Sequence, residues 1–193
     1  KVLKGWAVSG FIGCCGFVVV SENSGEMLTT FAKTATWKEK ISISKQLLEA
    51  ALTFTFDHPK FSFYFTDISA DNFAISKEGR LKFIDMDDVI IVDKNPTVIS
   101  SCWNKIHSSK MYDPGLLSFS VQEICSHNIS DHNIYAVCQE ILGKTSPLIL
   151  GGLLHSSSEE MRTKFAKLLD ACIQGPNRFE AANELLKVFR SEM

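Results

Sequence analysis

Neither a block of basic residues nor an uninterrupted apolar run of membrane-spanning length occurs in this chain, and its cysteines form no CxxC pair. The 20 Lys and Arg are interspersed with 22 Asp and Glu, for a formal net charge of -2. No stretch can therefore neutralise a phosphate backbone, and nucleic acid is not an expected partner. The nearest approach to a membrane span runs from Leu3 to Val20. Lys4 stands at its start, Gly and Ser interrupt it, Glu22 closes it, and it falls short of the ~20 apolar residues a span requires, so buried strands are expected there. His58, His107, His127, His132 and His155 lie neither at zinc-ligand spacing nor at a recognisable spacing from a nucleophile, and are expected at the surface or as caps. No repeat or low-complexity tract divides the chain. Lys1, not Met, opens it and leads straight into Val-Leu-Lys-Gly-Trp, as an internal segment would, so a fragment is expected and the lack of a leader is silent about compartment.

Apolar material is plentiful. With 45% hydrophobic residues, 14 of them Phe, a chain of 193 residues can bury the core of one domain or most of one. Val8 to Glu22 reads as two short strands, ending in the β-branched run Phe17-Val-Val-Val20. Asn23-Ser-Gly25 supplies a turn, and Met27 to Thr34 a short helix. Thr36 and Glu39 stand at capping-box spacing, and Ile41, Leu47, Leu48, Ala51, Leu52 and Thr55 share one helical face; together they predict a helix from about Trp37 to Phe56, ended by His58-Pro59. Four short strands follow, at Phe61–Phe65, Phe73–Ile75, Leu81–Ile84 and Val89–Val92. Asn95 to Asn128 is weakly periodic and yields no firm elements. Helices are predicted again over Asp131–Leu142, Ser158–Ile173 and Phe179–Phe189.

The residues that bear chemistry stand at the strand junctions, where loops present function on a rigid scaffold. Tyr64-Phe-Thr-Asp67-Ile-Ser-Ala-Asp71-Asn72 is followed, after one hairpin, by Phe83-Ile-Asp85-Met-Asp87. An Asp, an Asn five residues later and an Asp thirteen beyond that is the spacing by which protein kinases place a catalytic base and two magnesium ligands. Phosphoryl transfer needs a carboxylate to orient the attacking hydroxyl, and oxygen ligands to hold magnesium against the nucleotide phosphates. Asp67 reads as the base, Asn72 as a metal ligand and loop brace, and Asp85 as the bridge between Mg2+ and the phosphates of ATP. In a chain with ten Asp and eight Asn this three-point spacing arises by chance only about 0.02 times, which favours the chemical reading over Asx turns in a hairpin protein. Asp71, Asp87 and Asp88 add carboxylates that either serve a second metal or sit in solvated turns.

Asp67 to Val92 resembles the divergent protein kinase domain family of the secretory pathway, which includes the deleted-in-autism proteins. The resemblance extends over nearly the whole chain: Gly13-Cys-Cys-Gly-Phe17 looks like the strand pair leading to the hinge, Glu22 to Gly25 like the hinge, and Asp131-His-Asn-Ile-Tyr135-Ala-Val-Cys138 like a Cys-containing helix of that family. It implies an α+β, protein-kinase-like fold, with partial N-lobe strands and hinge over residues 1–25 and a mainly helical C-lobe over 26–193. Val20 and Glu22 would then be nucleotide-hinge residues. It also implies entry into the ER and Golgi, disulfides and, for some members, secretion with signalling effects on cells. The sequence departs from the standard pattern in that Phe65-Thr66 replaces His-Arg before the base, Ser69 stands where many kinases carry a phosphate-contacting Lys, and Met86-Asp87 replaces Phe-Gly. No GxGxxG precedes a strand Lys, and no helix supplies the Glu to pair with it, so this segment alone is expected to be inactive, with ATP and Mg2+ binding reserved for the full-length form. Two functions stay open: a kinase-like phosphotransferase, or a pseudokinase acting as a secreted signalling ligand or Golgi scaffold. A protein substrate or cell-surface receptor is the expected partner of one or the other. An aminoglycoside-phosphotransferase type shares the spacing but usually carries a His two residues before the base, where this chain has Phe65.

Six Cys occur. Cys102, Cys125, Cys138 and Cys172 are spread across the C-terminal half, an arrangement suited to bridges between distant elements in an oxidising compartment, with free buried thiols as the alternative. Asn128-Ile-Ser130 is a glycosylation sequon, expected in an exposed stretch. Both features favour the secretory pathway, either within the ER and Golgi or as a secreted protein.

Overall fold

The computed structural model describes residues 5–111, 117–155 and 158–193; the run of buried strands expected from Leu3 begins outside them. Its first elements form a hairpin, β1 (Phe11–Cys15) with β2 (Val18–Ser21), turning at Gly16 with φ +59°. The burial expected of these strands is corrected, since Phe11, Phe17 and Val19 of this hairpin are exposed. The chain then crosses into a three-stranded antiparallel sheet in which β3 (Glu26–Met27) pairs with β5 (Phe73–Ile75), and β5 with β6 (Leu81–Phe83). Gly25, at φ +111°, is required at that crossing, because a Cβ there would fall 2.0 Å from the Ile75 carbonyl oxygen. On the far edge, Phe83 N–H donates to the Ala7 carbonyl at 2.7 Å and Ser9 N–H to the Phe83 carbonyl at 3.0 Å.

Between β3 and β5 lie α1 (Leu28–Thr34), α2 (Trp37–Phe56) and β4 (Phe61–Phe65). The expected capping box opens α2: the Thr36 hydroxyl accepts from Glu39 N–H at 3.4 Å, and Glu39 Oε2 accepts from Thr36 N–H at 2.8 Å. The apolar face that follows is buried as its spacing requires, with Ile41, Leu47, Leu48 and Ala51 all inside the core. At the other end of the helix, His58 Nδ1 accepts from the N–H groups of Lys60 and Phe61, the capping role expected of it, and aims the chain into β4. β4 pairs antiparallel with β7 (Val89–Asp93) from Phe61 opposite Asp93 to Phe65 opposite Val89.

In its described residues, the stretch without a sequence assignment builds two small elements, β8 (Ile106–His107) and α3 (Val121–Cys125). β8 pairs in parallel with β9 (Ile129–Ser130). The helix predicted over Asp131–Leu142 is realised as α4 (His132–Val137) followed by a π-helical turn, Cys138–Leu142. α5 (Glu159–Gln174) and α6 (Arg178–Glu192) complete an α+β fold in which α2 packs on α4 and α6, and α5 on α4 and α6. No helix among the described residues is long and apolar enough to cross a membrane.

Cys138 and Cys172 form a disulfide across 34 residues, their Cα atoms 6.0 Å apart, so the π-helical turn is tied to α5. The expectation of bridges at Cys102 and Cys125 is corrected, since both are free. Cys125 ends α3 facing solvent while Ile124 takes the buried side, and Cys102 lies in a turn with the Ser101 hydroxyl 4.0 Å from its sulfur. The sequon also lies differently from the exposed stretch expected. Ser130 is fully buried, its hydroxyl paired with His107 Nδ1 at 2.9 Å, and Asn128 Oδ1 is enclosed without a partner. Pairing of β8 with β9 draws the segment against the interior.

Candidate functional site

Four strand ends meet at one corner of the fold. Asp67 lies just past β4, Asn72 immediately before β5, Asp85 just past β6 and Asp88 immediately before β7. Backbone bonds hold these ends together: Thr66 N–H donates to the Asp88 carbonyl at 3.1 Å, and Ile84 N–H to the Asn72 carbonyl at 2.9 Å. The antiparallel register that sets Phe73 opposite Phe83 brings Asn72 and Asp85 to the same end of the hairpin. Residues thirteen apart in sequence thus become neighbours.

Asn72 Nδ2 donates to the Asp67 carbonyl at 3.2 Å, which braces the loop and leaves Oδ1 available. Asp85 Oδ1 accepts from Asp87 N–H at 3.2 Å, orienting a carboxylate whose other oxygen is open, and Asp67 is exposed. Asp71 instead accepts from the Ser69 hydroxyl as part of a turn. Among the described residues no three His, Cys, Asp or Glu converge into a metal cage. Val20 and Glu22 sit at the end of the hairpin, with Glu22 N–H donating to the Gly10 carbonyl at 2.8 Å, and the chain from there joins the strand that abuts Asn72.

Phe65, at the position where the standard pattern has His, is structural. Its ring lies 4.5 Å from Phe54 and 4.4 Å from Phe83, so the strand before Asp67 is packed against the strand before Asp85. The backbone of the same strand is gripped by α4. Asn133 Oδ1 accepts from Phe65 N–H at 3.1 Å, Asn133 Nδ2 donates to the Phe63 carbonyl at 2.7 Å, and His132 Nε2 donates to the Phe65 carbonyl at 2.8 Å. Behind them Asp131 pairs with Arg178 at 2.8 Å. The Asp131-His132-Asn133 run therefore sets the height of the Asp67 loop.

His132 corrects the expectation of a surface or capping role, because it is fully buried. Burial pulls its imidazole down to about 4, an effect that the Phe65 carbonyl and Asp131 only partly offset. The unfolded chain, with an imidazole near 6.5, takes up a proton below that pH while the folded chain does not. Stability from this residue is therefore complete above the unfolded value and is lost as the pH falls toward 4, by up to about 3 kcal/mol. Urea unfolding at neutral pH and near 4.5 should show a smaller loss in His132→Gln, whose amide can still donate to Phe65; equal losses would contradict the assignment.

Another carboxyl was invisible to spacing. Glu140, buried in the π-helical turn, is pushed above the usual carboxylate range by burial; the Gln139 amide, 3.1 Å from Oε1, pulls it back and the charge of Asp67 adds to the rise. The charge that adds to the rise belongs to a residue 73 positions away, the difference between Glu140 and Asp67 in the numbering.

Residues 4–175 match the family described as "Protein-kinase domain of FAM69". Among curated relatives, the chain is similar to "Divergent protein kinase domain 2A" of Homo sapiens, at 32% identity over 195 residues, covering 94% of this chain and 45% of the relative. The same protein of Xenopus tropicalis matches with the same identity and coverage. "Divergent protein kinase domain 2B" of Bos taurus is 22% identical over 204 residues, 97% of this chain and 42% of that protein. The chain spans less than half the length of these relatives.

Proposed function

We propose that this chain, which belongs to the family of FAM69 protein-kinase domains, supplies the Mg2+-nucleotide site of a divergent kinase-like protein whose full-length form transfers a phosphoryl group. One observation carries the reading: the Asn72 amide is tied to the Asp67 carbonyl, and the hairpin register puts Asn72 and Asp85 at the same end. Magnesium held there would neutralise the charge of the nucleotide phosphates. Asp67, exposed and just past a strand locked by Phe65, His132 and Asn133, would orient the acceptor hydroxyl and accept its proton. Val20 and Glu22 would border the adenine.

Secretory-pathway residence is part of the proposal, supported by the Cys138–Cys172 bridge, which an oxidising compartment preserves. Met86-Asp87 in place of Phe-Gly favours a second reading, in which the site binds nucleotide without transfer and the protein acts as a secreted ligand or Golgi scaffold for a receptor or protein partner.

Thermal unfolding of the full-length protein with and without ATP and Mg2+, beside Asp85→Ala, tests the site. Binding to the native state at a hundredfold excess over Kd should stabilise the wild type by about 2.7 kcal/mol and the variant far less. No metal-dependent shift at millimolar ATP would sink it.

A further inference from the structure

A groove of about 390 Å³ runs between α5 and the loop after the π-helical turn, in the half of the fold that holds no part of the Asp67 corner. Its floor is apolar: Leu142 and Leu154 on one wall, and Phe165, Leu169 and Ile173 on the face of α5. These α5 positions recur at helical spacing, so the groove is a continuous stripe. Both walls are pinned, since the Cys138–Cys172 bridge joins the start of the π-helical turn to α5 within one turn of Leu169 and Ile173. A cavity of this size lies in the range of small-molecule sites, and fixed walls reduce the ordering cost of filling it.

The rim says what kind of molecule fits. Lys144, His155 and Arg162 border the groove against a single carboxylate, Asp170. Arg162 is already paired with Glu159, whereas among the described residues Lys144 is in no ion pair. An apolar trough with an unneutralised ammonium at its edge complements an apolar tail that ends in an anion.

We propose that this groove is a binding site for a single-chain fatty acid, whose hydrocarbon tail lies along Phe165, Leu169 and Ile173 and whose carboxylate meets Lys144. Each methylene buried multiplies affinity about three- to fourfold, so chain length is the sharpest diagnostic. This site is independent of the nucleotide reading.

Isothermal titration of the full-length protein with dodecanoate below its micellar concentration tests the assignment. The expected result is saturable one-to-one binding, weakened about tenfold for decanoate, which is two methylenes shorter. Lys144→Glu should weaken it roughly fivefold, the scale of one partly exposed ion pair. Ala166→Trp, an exposed position on the same wall, fills the trough and should weaken binding by more than about tenfold. Folding of both variants is checked by thermal melts, as neither position is in the core. Absence of saturation, indifference to chain length, or an affinity unchanged in either variant would overturn the proposal; so would association with phosphatidylcholine vesicles without binding of monomeric dodecanoate, which would mark a membrane-facing surface instead.

Discussion

Replacing Arg178 by Met is expected to destabilise the chain by about 3–5 kcal/mol, because it strips the partner from a carboxylate that cannot reach water. Arg178 and Asp131 are 1% and 2% exposed. The guanidinium does three things at once. It pairs with Asp131 at 2.8 Å, donates to the Ile173 carbonyl in the last turn of α5, with Nε at 3.1 Å and Nη2 at 2.6 Å, and lies 4.7 Å from the centre of the Tyr135 ring. The Ile173 carbonyl has no intrahelical donor, so Arg178 also caps α5 from the start of α6. Chemical unfolding of Arg178→Met alone and with Asp131→Leu separates the contributions. The double substitution should recover much of the loss, since an apolar pair removes both buried charges; a double variant as unstable as the single one would show that capping, not charge pairing, dominates. The consequence reaches the site, because Asp131 adjoins the His132 and Asn133 side chains that hold Phe65.

Removing the disulfide by Cys138→Ala with Cys172→Ala should cost about 4 kcal/mol, the chain-entropy value for a loop of 34 residues. Burial of both sulfurs adds a packing loss small enough that Ala should not unfold the chain outright. Unfolding of the oxidised protein, the reduced protein and the double variant gives the comparison. Reduced wild type and variant are expected to agree, both well below the oxidised form; indistinguishable curves for all three would mean that the bridge adds nothing. Loosening of the π-helical turn should also release Glu140 from its buried place near Asp67.

Elements built from local signals were legible in the sequence. α2 could be read to its ends, because Thr36 and Glu39 form a capping box and the apolar spacing from Ile41 to Thr55 is helical. The strands around Asp67 and Asp85 were legible for the same reason, and their short loops brought the three polar residues to one corner without long-range information. What escaped depends on distant partners. β8 and β9 are two residues each and exist through their parallel pairing, while Ser130 is drawn inward by the Tyr64 hydroxyl that accepts its N–H at 2.8 Å. Nothing near His132 announces that the Phe65 carbonyl, 67 positions away, will accept a hydrogen bond from its Nε2–H, so a surface or capping role was the natural reading. Arg178, one residue before the helix predicted from Phe179, is buried against Asp131, 47 positions upstream, and no local pattern marks that pairing. Bridge candidates were legible as a set of four cysteines, but which pair meets depends on how α5 lies against the π-helical turn.

The most direct test of the nucleotide site is crystallography of the full-length protein with Mn2+ and a non-hydrolysable ATP analogue, using the anomalous signal of the metal. The expected result is a peak bound by the Asp85 carboxylate and Asn72 Oδ1, with the phosphates completing the shell at about 2.1–2.2 Å and Asp67 facing the terminal phosphate. Nucleotide bound elsewhere, or no metal between Asp85 and Asn72 at saturating Mn2+, would contradict it.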